Sequence, residues 1–512
     1  MSKFAKATVG LMVATILCKI LGFAKELVLA SVYGASVYSD IYIVSLNIPN
    51  VIFSVLGTAI LTTFIPIYFE VYESEGSEKA TKFTNNIVNL ITLISLILVV
   101  TGIVFTESLV KVFAMGFDGE IVDITIRFTR ILLVGMLFMG LTNIMTAYLQ
   151  VKQKFTIPGL VGVPYNLVIM ISILLSIKYG PYMMAIGTLV GMGVQFLYQL
   201  PFAYKNGYRY KLYINAKDKY IKKMMFLVGP VIIGVAVNQV NIMVDRTLAS
   251  TLAEGSISAL NYAQKLNLFV IGIFITSIVS VIYPTLSKLS TIKNNEEFIE
   301  VIVRSINSII LLVIPISIGA IVLANPIVRL LFQRGLFDER ATNMTAIALV
   351  FYSIGLVGVG LRDVVGKIFY ALQDTKTPMM NGAIAMFINI ILNIILIRYM
   401  NHAGLALATS ISSISCVLLL FKSLKKKIGY FGQDKIIKTA LKSTIAALAM
   451  GIMTSISYNT LLDMLNGGFA IEILTLSISI VVGAGVYAIL MYILKVEEIN
   501  IIRKKLRRSI KI

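Results

Sequence analysis

The segment from Ala7 to Ser31, which reads ATVGLMVATILCKILGFAKELVLAS, decides the fold class of this chain. A helix of about 20 apolar residues crosses the roughly 30 Å hydrocarbon core of a bilayer, and this segment is long enough to do so. Lys19 interrupts the apolar run and no small-residue cleavage site follows the run, so we interpret the segment as a membrane span rather than a signal peptide. Charge at the depth of Lys19 is costly and is usually retained for a function.

Runs of the same kind recur along the whole chain. Its 512 residues are 58% hydrophobic and 14% charged, and the mean hydropathy is +0.89. Because lipid offers the backbone no hydrogen-bond partner, these runs must be helices. We predict an all-α polytopic membrane protein with about 14 transmembrane helices and no soluble domain. The predicted helices are centred on Val13, Phe53, Leu96, Phe138, Met170, Val194, Ile233, Phe274, Ile314, Ile354, Ile391, Ser412, Leu448 and Val481.

The net charge of +20 follows the predicted topology. Basic residues crowd the connector between Lys205 and Lys223, whereas the next connector, around Ala253 to Ser258, has no Lys or Arg. The basic clusters at Lys422 to Lys427 and Arg503 to Lys511 fall on the first side. The positive-inside rule makes that side cytoplasmic, and an even number of spans places both termini there. Since these residues are spread over the loops of one membrane face, we expect no nucleic-acid partner.

A weak internal repeat suggests two homologous lobes, an arrangement that many transporters build around a central site. The motif Ala147-Tyr148-Leu149-Gln150 precedes a short loop and a proline, as does Tyr370-Ala371-Leu372-Gln373. We predict an N-terminal lobe over residues 1–219 with helices 1 to 6 and a C-terminal lobe over 220–428 with helices 7 to 12. Helices 13 and 14, with a basic cytoplasmic tail, occupy 429–512.

Five charged residues within predicted spans form a possible anion site. Lys19 and Glu26 lie close to one helical face, and Lys25 is rotated about 120° from Lys19. Asp40 opens the second helix and Lys265 lies early in the eighth. One interpretation is a cationic, water-filled cavity between the lobes that suits an anionic head group. The other is that several of these side chains reach the membrane surface from helix ends.

A second set of residues is rich in oxygen. Asn389 and Asn393 share a helical face, Thr409 lies in the next helix, and Asp245 lies in the seventh. Such oxygens are ligands for a hard cation, but Asn and Thr also commonly join helices by hydrogen bonds, and spacing alone favours the second interpretation. His402, the single histidine, lies in a predicted external loop, and no nucleophile or phosphate-binding loop is evident. We therefore expect a protein that is not an enzyme.

Seven motifs spread over the first twelve predicted helices carry a family resemblance. They are LGFAKE (Leu21–Glu26), IPN (Ile48–Asn50), VDRTLAS (Val244–Ser250), GSISALNYA (Gly255–Ala263), FQRG (Phe332–Gly335), QDTKTP (Gln373–Pro378) and GLALATS (Gly404–Ser410). In these motifs the chain resembles the MurJ (MviN) family of lipid II flippases, within the multidrug/oligosaccharidyl-lipid/polysaccharide exporter superfamily. The resemblance implies a transporter that moves undecaprenyl-pyrophosphate-linked disaccharide-pentapeptide, lipid II, from the inner to the outer leaflet by alternating access.

The resemblance also implies a location, an energy source and roles for the charged residues. The location is the bacterial cytoplasmic (inner) membrane, and transport is coupled to an ion or to the membrane potential. Arginines of the family's cavity fall on Lys19, Lys25 and Lys265, and an essential acidic residue of the second helix falls on Asp40. Glu26 is expected in the same substrate-binding group.

A sodium site is implied as well. The family's ligands match Asp245, Asn389, Asn393, Thr409 and the backbone carbonyl of Leu405, and no other cofactor is expected. The last two helices would form a lateral groove for the polyprenyl tail.

Some positions depart from the family pattern. Phe53 and Ser54 stand where many members have an arginine pair, and Thr58 stands where they have a glutamate, so an interlobe salt bridge is expected to be missing. Gln264 replaces an aspartate. Lysine in place of arginine at the three cavity positions turns a bidentate grip on pyrophosphate into point-charge attraction.

Other functions stay open. A drug or cation antiporter of the same superfamily would favour an acidic cavity, whereas the lysines favour an anion. Another polysaccharide-lipid flippase shares the expected chemistry. An integral-membrane glycosyltransferase would present catalytic carboxylates and a sugar-binding loop, which these short loops lack.

Overall fold

The computed structural model describes residues 3–291, 295–465, 468–496 and 498, and it describes only the backbone of residues 3–9, 230, 231, 233, 234, 237, 238, 291 and 295. All regular secondary structure in these residues is helical. A helix satisfies its backbone polar groups within one segment, which is what a lipid environment requires. The prediction of an all-α protein is confirmed.

The helices are numbered in chain order, and one π-helical turn, Ile271–Ile275, follows α10. They are α1 (Lys3–Tyr33), α2 (Val37–Val104), α3 (Thr106–Phe113), α4 (Gly119–Leu133), α5 (Gly135–Val151), α6 (Thr156–Gly159), α7 (Gly162–Tyr179), α8 (Tyr182–Lys205), α9 (Lys219–Ala249), α10 (Ser256–Val270), α11 (Thr276–Thr291), α12 (Asn295–Val322), α13 (Ala324–Phe332), α14 (Glu339–Ile354), α15 (Leu356–Ala371), α16 (Lys376–Ile428), α17 (Gln433–Leu465) and α18 (Phe469–Ile493).

Within the described residues, nine helical segments are long and apolar enough to cross a membrane. The count is ten if α14 and α15, bent by 41° at a short break, form one span. Two of the nine are much longer than a bilayer is thick, because α2 has 68 residues and α16 has 53. At about 1.5 Å per residue, α2 would be roughly 100 Å long if it were straight. Non-helical backbone at Gly76 and Asn401 divides each of them into two arms.

The chain packs into two compact units, each with its own core. Unit 1 comprises Met1–Ser258 and Arg334–Phe337, and unit 2 comprises Ala259–Gln333 and Asp338–Ile512. This division rests on packing and not on the internal repeat, so the predicted lobe boundary between residues 219 and 220 stays a prediction.

The core of unit 1 is built around the first arm of α2. Ile60, Phe64 and Ile67 recur at helical spacing and are buried, and Phe64 stacks on Phe83 of the second arm with ring centroids 5.8 Å apart. Tyr148 of α5 belongs to the same buried cluster. Lipid tails are as apolar as these side chains, so close van der Waals packing rather than escape from water holds the helices together.

The core of unit 2 is built on α12. Its residues Ile302, Ile306, Ile309 and Val313 recur at intervals of three and four and are fully buried. They belong to one cluster with Val365 and its neighbours on α15. The helical period of these residues explains why one face of α12 is covered.

The ends of α5 and α15 carry the same backbone motif. Gln153 and Gln373 have φ values of 57° and 56°, and the next amide in each case bonds back to a carbonyl five residues earlier, at 2.9 Å. This is the Schellman ending of a helix. Gln373 therefore corresponds in structure to Gln153, three residues beyond the Gln150 with which the sequence motif pairs it.

Candidate functional site

A buried ion pair lies on α1. Lys25 is 8% exposed and Glu26 is 4% exposed, and the Lys25 Nζ lies 3.0 Å from the Glu26 Oε1. The charges of this pair interact with the side chains of Tyr42 on α2 and Tyr165 on α7. Lys25 and Glu26 do not reach the surface, and Glu26 compensates the charge of Lys25. Removal of one partner of a buried ion pair typically costs about 3–5 kcal/mol.

The other two predicted cavity lysines are partly buried. Lys19 lies on α1 in unit 1, and Lys265 lies on α10 beyond Ser258, in unit 2. Lys19 and Lys25 thus share one helix. That Lys265 joins them around one cavity stays a prediction.

Asp40 binds the beginning of α10. The carboxylate is 4% exposed and accepts hydrogen bonds from the backbone N–H groups of Gly255, at 2.8 Å, and Ser258, at 2.7 Å. The Ser258 hydroxyl donates to the same carboxylate. The first N–H groups of a helix have no partner within it, and its N-terminus carries a partial positive charge. Asp40 therefore caps α10 from a position 215 residues earlier in the chain.

A second carboxylate makes the reverse contact. Glu254 Oε1 accepts a hydrogen bond of 3.0 Å from the backbone N–H of Val37, the first residue of α2. Ser39 supports the same helix end, since its hydroxyl accepts from the Ser36 N–H at 2.9 Å. The starts of α2 and α10 are thus capped reciprocally. The acidic residue that caps each helix lies close to the start of the other helix.

Two glycines allow the backbones to meet at this place. Gly255 has a φ of 83°, and a Cβ there would lie 2.3 Å from the Ala35 carbonyl oxygen. Gly335 has a φ of 60°, and a Cβ there would lie 2.1 Å from the Ser31 carbonyl oxygen. Both conformations are ones that glycine adopts without strain. We call this meeting of residues 31–40, 250–258 and 334–337 of unit 1 the capped junction.

Asp40 was expected from the sequence, but Ser39, Glu254 and Ser258 were missed. The GSIS run at Gly255 to Ser258 was a usable signal, because glycine and serine are typical of a helix start. No spacing rule connects that run to α2.

Four members of the predicted sodium set come together in unit 2. The Asn393 side-chain amide donates to Asn389 Oδ1 at 3.0 Å, Asn389 Nδ2 lies 3.5 Å from Thr409 Oγ1, and Thr409 donates to the Leu405 carbonyl at 3.0 Å. The two asparagines lie before the break at Asn401 and the other two residues after it, so the break folds the arms of α16 onto each other.

The donor chemistry of this set suits a hard cation, because it offers amide, hydroxyl and backbone carbonyl oxygens. The same bonds also join two helix arms, as the alternative interpretation requires. Asp245 lies partly buried on α9, in unit 1. Across the described residues, no group of three or more His, Cys, Asp or Glu side chains could hold a metal.

Comparison with known proteins gives consistent matches along the chain. A family model described as "Lipid II flippase MurJ" matches residues 29–474. A probable lipid II flippase MurJ of Buchnera aphidicola subsp. Acyrthosiphon pisum is 28% identical over 507 residues, covering 98% of this chain and 99% of the relative. Lipid II flippase MurJ of Burkholderia cenocepacia is 28% identical over 424 residues, covering 81% and 82% of the two chains.

Solved structures agree. A structure titled "Lipid II flippase MurJ, inward closed conformation" matches with a TM-score of 0.79 and 29% identity, over 94% of this chain and 98% of that one. An inward-facing multidrug resistance MATE family transporter of the MOP superfamily matches with a TM-score of 0.67 at 13% identity, over 83% and 99%. The latter likeness concerns the fold alone. The match from residue 29 to residue 474 confirms the resemblance seen in the motifs, and the chain belongs to the family of lipid II flippases described as MurJ.

Proposed function

We propose that this chain moves lipid II from the inner to the outer leaflet of the bacterial cytoplasmic membrane. The observation that carries the proposal is the family match over residues 29–474, supported by a MurJ structure of the same fold along 94% of the chain. A flippase makes and breaks no covalent bond, so this proposal agrees with the expectation that the protein is a transporter and not an enzyme. Its partners would be lipid II and the surrounding membrane lipids.

The proposed topology has fourteen spans with both termini in the cytoplasm. The two arms of α2 and of α16 would each cross separately, the bent pair of α14 and α15 would cross once, and α1 and α9 would be spans despite the charges they carry. The basic connectors would face the cytoplasm. Helices α17 and α18 would form the groove for the polyprenyl tail, and the predicted tail residues 499–512 lie outside the described residues.

The head group would be bound by Lys19, Lys25 and Lys265, with Glu26 controlling how much positive charge is available. In the observed pair, Glu26 neutralises Lys25. A pyrophosphate would therefore have to replace Glu26 as the partner of Lys25. This exchange would make the pair a switch between an empty, neutral state and a substrate-bound state.

A sodium ion would be held by Asp245, Asn389, Asn393, Thr409 and the Leu405 carbonyl. The contacts among the last four support their grouping, and the single carboxylate would match a monovalent charge. Coupling of this ion to transport is part of the proposal.

Binding of lipid II would favour closure of the outer side of the protein. Two cysteines placed at Ser36 and Ser256, within the junction, should crosslink more readily when lipid II is supplied, provided that the substrate interacts better with the closed form. Crosslinking that does not respond to lipid II would contradict this step.

Complementation tests the function itself. A strain depleted of its own flippase should accumulate lipid II on the cytoplasmic leaflet, and expression of this chain should relieve that accumulation and restore growth. Variants with arginine at any of the three cavity lysines should still restore growth, whereas variants with alanine should not. Normal growth with all three changed to alanine, at unchanged expression, would refute the proposed binding site.

A further inference from the structure

The connector between α8 and α9 is held along the side of α2. Residues 209–215 have no regular secondary structure. Three asparagines of α2 bind backbone carbonyls of this segment. Their side-chain amides donate to the carbonyls of Arg209 from Asn85 at 2.8 Å, of Tyr213 from Asn89 at 3.1 Å and of Asn215 from Asn86 at 2.9 Å. The connector is therefore a fixed part of unit 1.

An apolar crevice of about 260 Å³ lies beneath this connector. Its wall is formed by residues of α2, α5 and α8, namely Val88, Leu141, Met145, Phe196 and Leu200. Tyr204 and Tyr210, which are 39% and 49% exposed, belong to its outer rim. Tyrosines are typical of the interface between lipid and water, where one end of the side chain is wet.

The size and lining of the crevice indicate what it can hold. Pockets that enclose a whole small molecule usually measure roughly 300–1,000 Å³, so this one suits part of a flexible chain. It lies between segments that are themselves candidate membrane spans. An acyl chain of a neighbouring lipid has the matching shape and polarity.

Charge at the rim selects among lipids. The Arg209 Nη1 donates to the carbonyls of Tyr204 and Tyr208, both at 2.8 Å, and the guanidinium lies 5.9 Å from the centre of the Tyr204 ring. These contacts fix the group while leaving further N–H donors for a phosphate. Exposed Lys205 and Lys211 add positive charge beside it.

We propose that this crevice binds one acyl chain of an anionic phospholipid whose phosphate lies on Arg209. The three asparagines of α2 hold the connector so that Arg209 stays beside the crevice. The site belongs to unit 1 and is separate from the residues assigned to lipid II.

Native mass spectrometry of the purified full chain tests the site. The protein would be equilibrated in mixed micelles containing either dioleoylphosphatidylglycerol or dioleoylphosphatidylcholine, and retained lipids would be counted. We expect the unaltered protein to retain phosphatidylglycerol preferentially. Arg209→Gln should weaken that binding about tenfold through loss of a charge-assisted hydrogen bond, and Arg209→Lys should weaken it less. Thr92→Phe, which fills the crevice, should abolish retention of the lipid.

Lys178→Gln is the matched control. Lys178 is an exposed cation at the end of α7 that lies 5.4 Å from the Tyr179 ring, so its loss removes the same charge and a similar ring contact away from the crevice. The thermal midpoint of each variant would verify folding. Equal retention of the two lipids, or unchanged retention in both Arg209→Gln and Thr92→Phe, would overturn the proposal. Preferential retention of undecaprenyl phosphate, offered in a third set of mixed micelles, would also overturn it and assign the crevice to the tail of the substrate.

Discussion

Replacement of Asp40 by asparagine should loosen the start of α10. In the structure the carboxylate accepts from the N–H groups of Gly255 and Ser258 and from the Ser258 hydroxyl. An asparagine of the same shape keeps one acceptor oxygen but turns an NH₂ group toward one of these donors. A hydrogen bond to a charged group contributes about 1.5–3 kcal/mol, and the helix dipole adds roughly 0.3–1 kcal/mol. We therefore expect a local loss of about 2–3 kcal/mol.

Amide hydrogen exchange measures this loss where it occurs. Since 1.4 kcal/mol corresponds to a factor of ten, exchange at Gly255 and Ser258 should become roughly 30- to 150-fold faster in the Asp40→Asn variant. Glu254→Gln should have a smaller effect, at Val37, because the Glu254 side chain that accepts the Val37 N–H is exposed, whereas Asp40 is buried. Comparison of the changes in exchange rate in the two variants distinguishes the effect of a charged cap at a buried helix start from that at an exposed one.

Asp218→Asn is the matched control. Asp218 also caps a helix, accepting from the Tyr220 N–H at 2.8 Å, but at the start of α9. Its loss should speed exchange near Tyr220 and leave the start of α10 unchanged. Unaltered exchange at Gly255 and Ser258 in Asp40→Asn would refute the idea that Asp40 stabilises α10 by capping.

Three further predictions concern single interactions. Lys25→Ala should lower the thermal midpoint because it removes the ammonium group that lies 3.0 Å from the buried Glu26 carboxylate, at a cost of about 3–5 kcal/mol. The double change Lys25→Ala with Glu26→Gln should recover folding but not complementation, and recovery of growth by the double variant would contradict a substrate role. Asp245→Ala should abolish the stabilisation of the protein by sodium over potassium in thermal-shift titrations, and an identical sodium response in the variant would refute the ligand assignment. The Lys427 ammonium, 2.6 Å from Asp374, and hydrogen bonds from Thr377 lower the pKa of the Asp374 carboxyl from 3.8 to about 2. The contribution of this carboxylate to stability is therefore complete above pH about 4 and is lost as the pH falls toward 2. The difference in stability between the unaltered protein and Lys427→Gln should vanish over that range, and a difference that grows on acidification would contradict the pairing.

The charged residues show how far sequence reasoning reaches. Depth in an apolar run identified Lys19 and Lys25 as unusual, because the cost of burying charge depends on position along a span. It did not predict the pairing of Lys25 with Glu26, since adjacent residues of a helix do not normally face each other. The two side chains nevertheless meet at 3.0 Å, and both are buried.

The repeat shows a similar limit. Two similar four-residue motifs, each followed by a proline, indicated that the segments around the ends of α5 and α15 correspond, but the motif letters placed Gln373 opposite Gln150. The backbone places it opposite Gln153, because the left-handed residue that ends each helix is set by hydrogen bonding and not by residue identity.

The sequence by itself determined that this protein is an all-helical membrane protein of the lipid II flippase family. The reason is local, since each apolar run is long enough to span a bilayer and can satisfy its backbone only as a helix, and the family motifs are short contiguous strings. Only the tertiary structure decided that Asp40 caps α10 by binding Gly255, which lies 215 residues later, that Glu254 returns the contact, and that three asparagines of α2 hold the connector at residues 209–215. These contacts join segments that are distant in the chain, and a hydrogen bond between such segments depends on how the helices pack rather than on any spacing in the sequence.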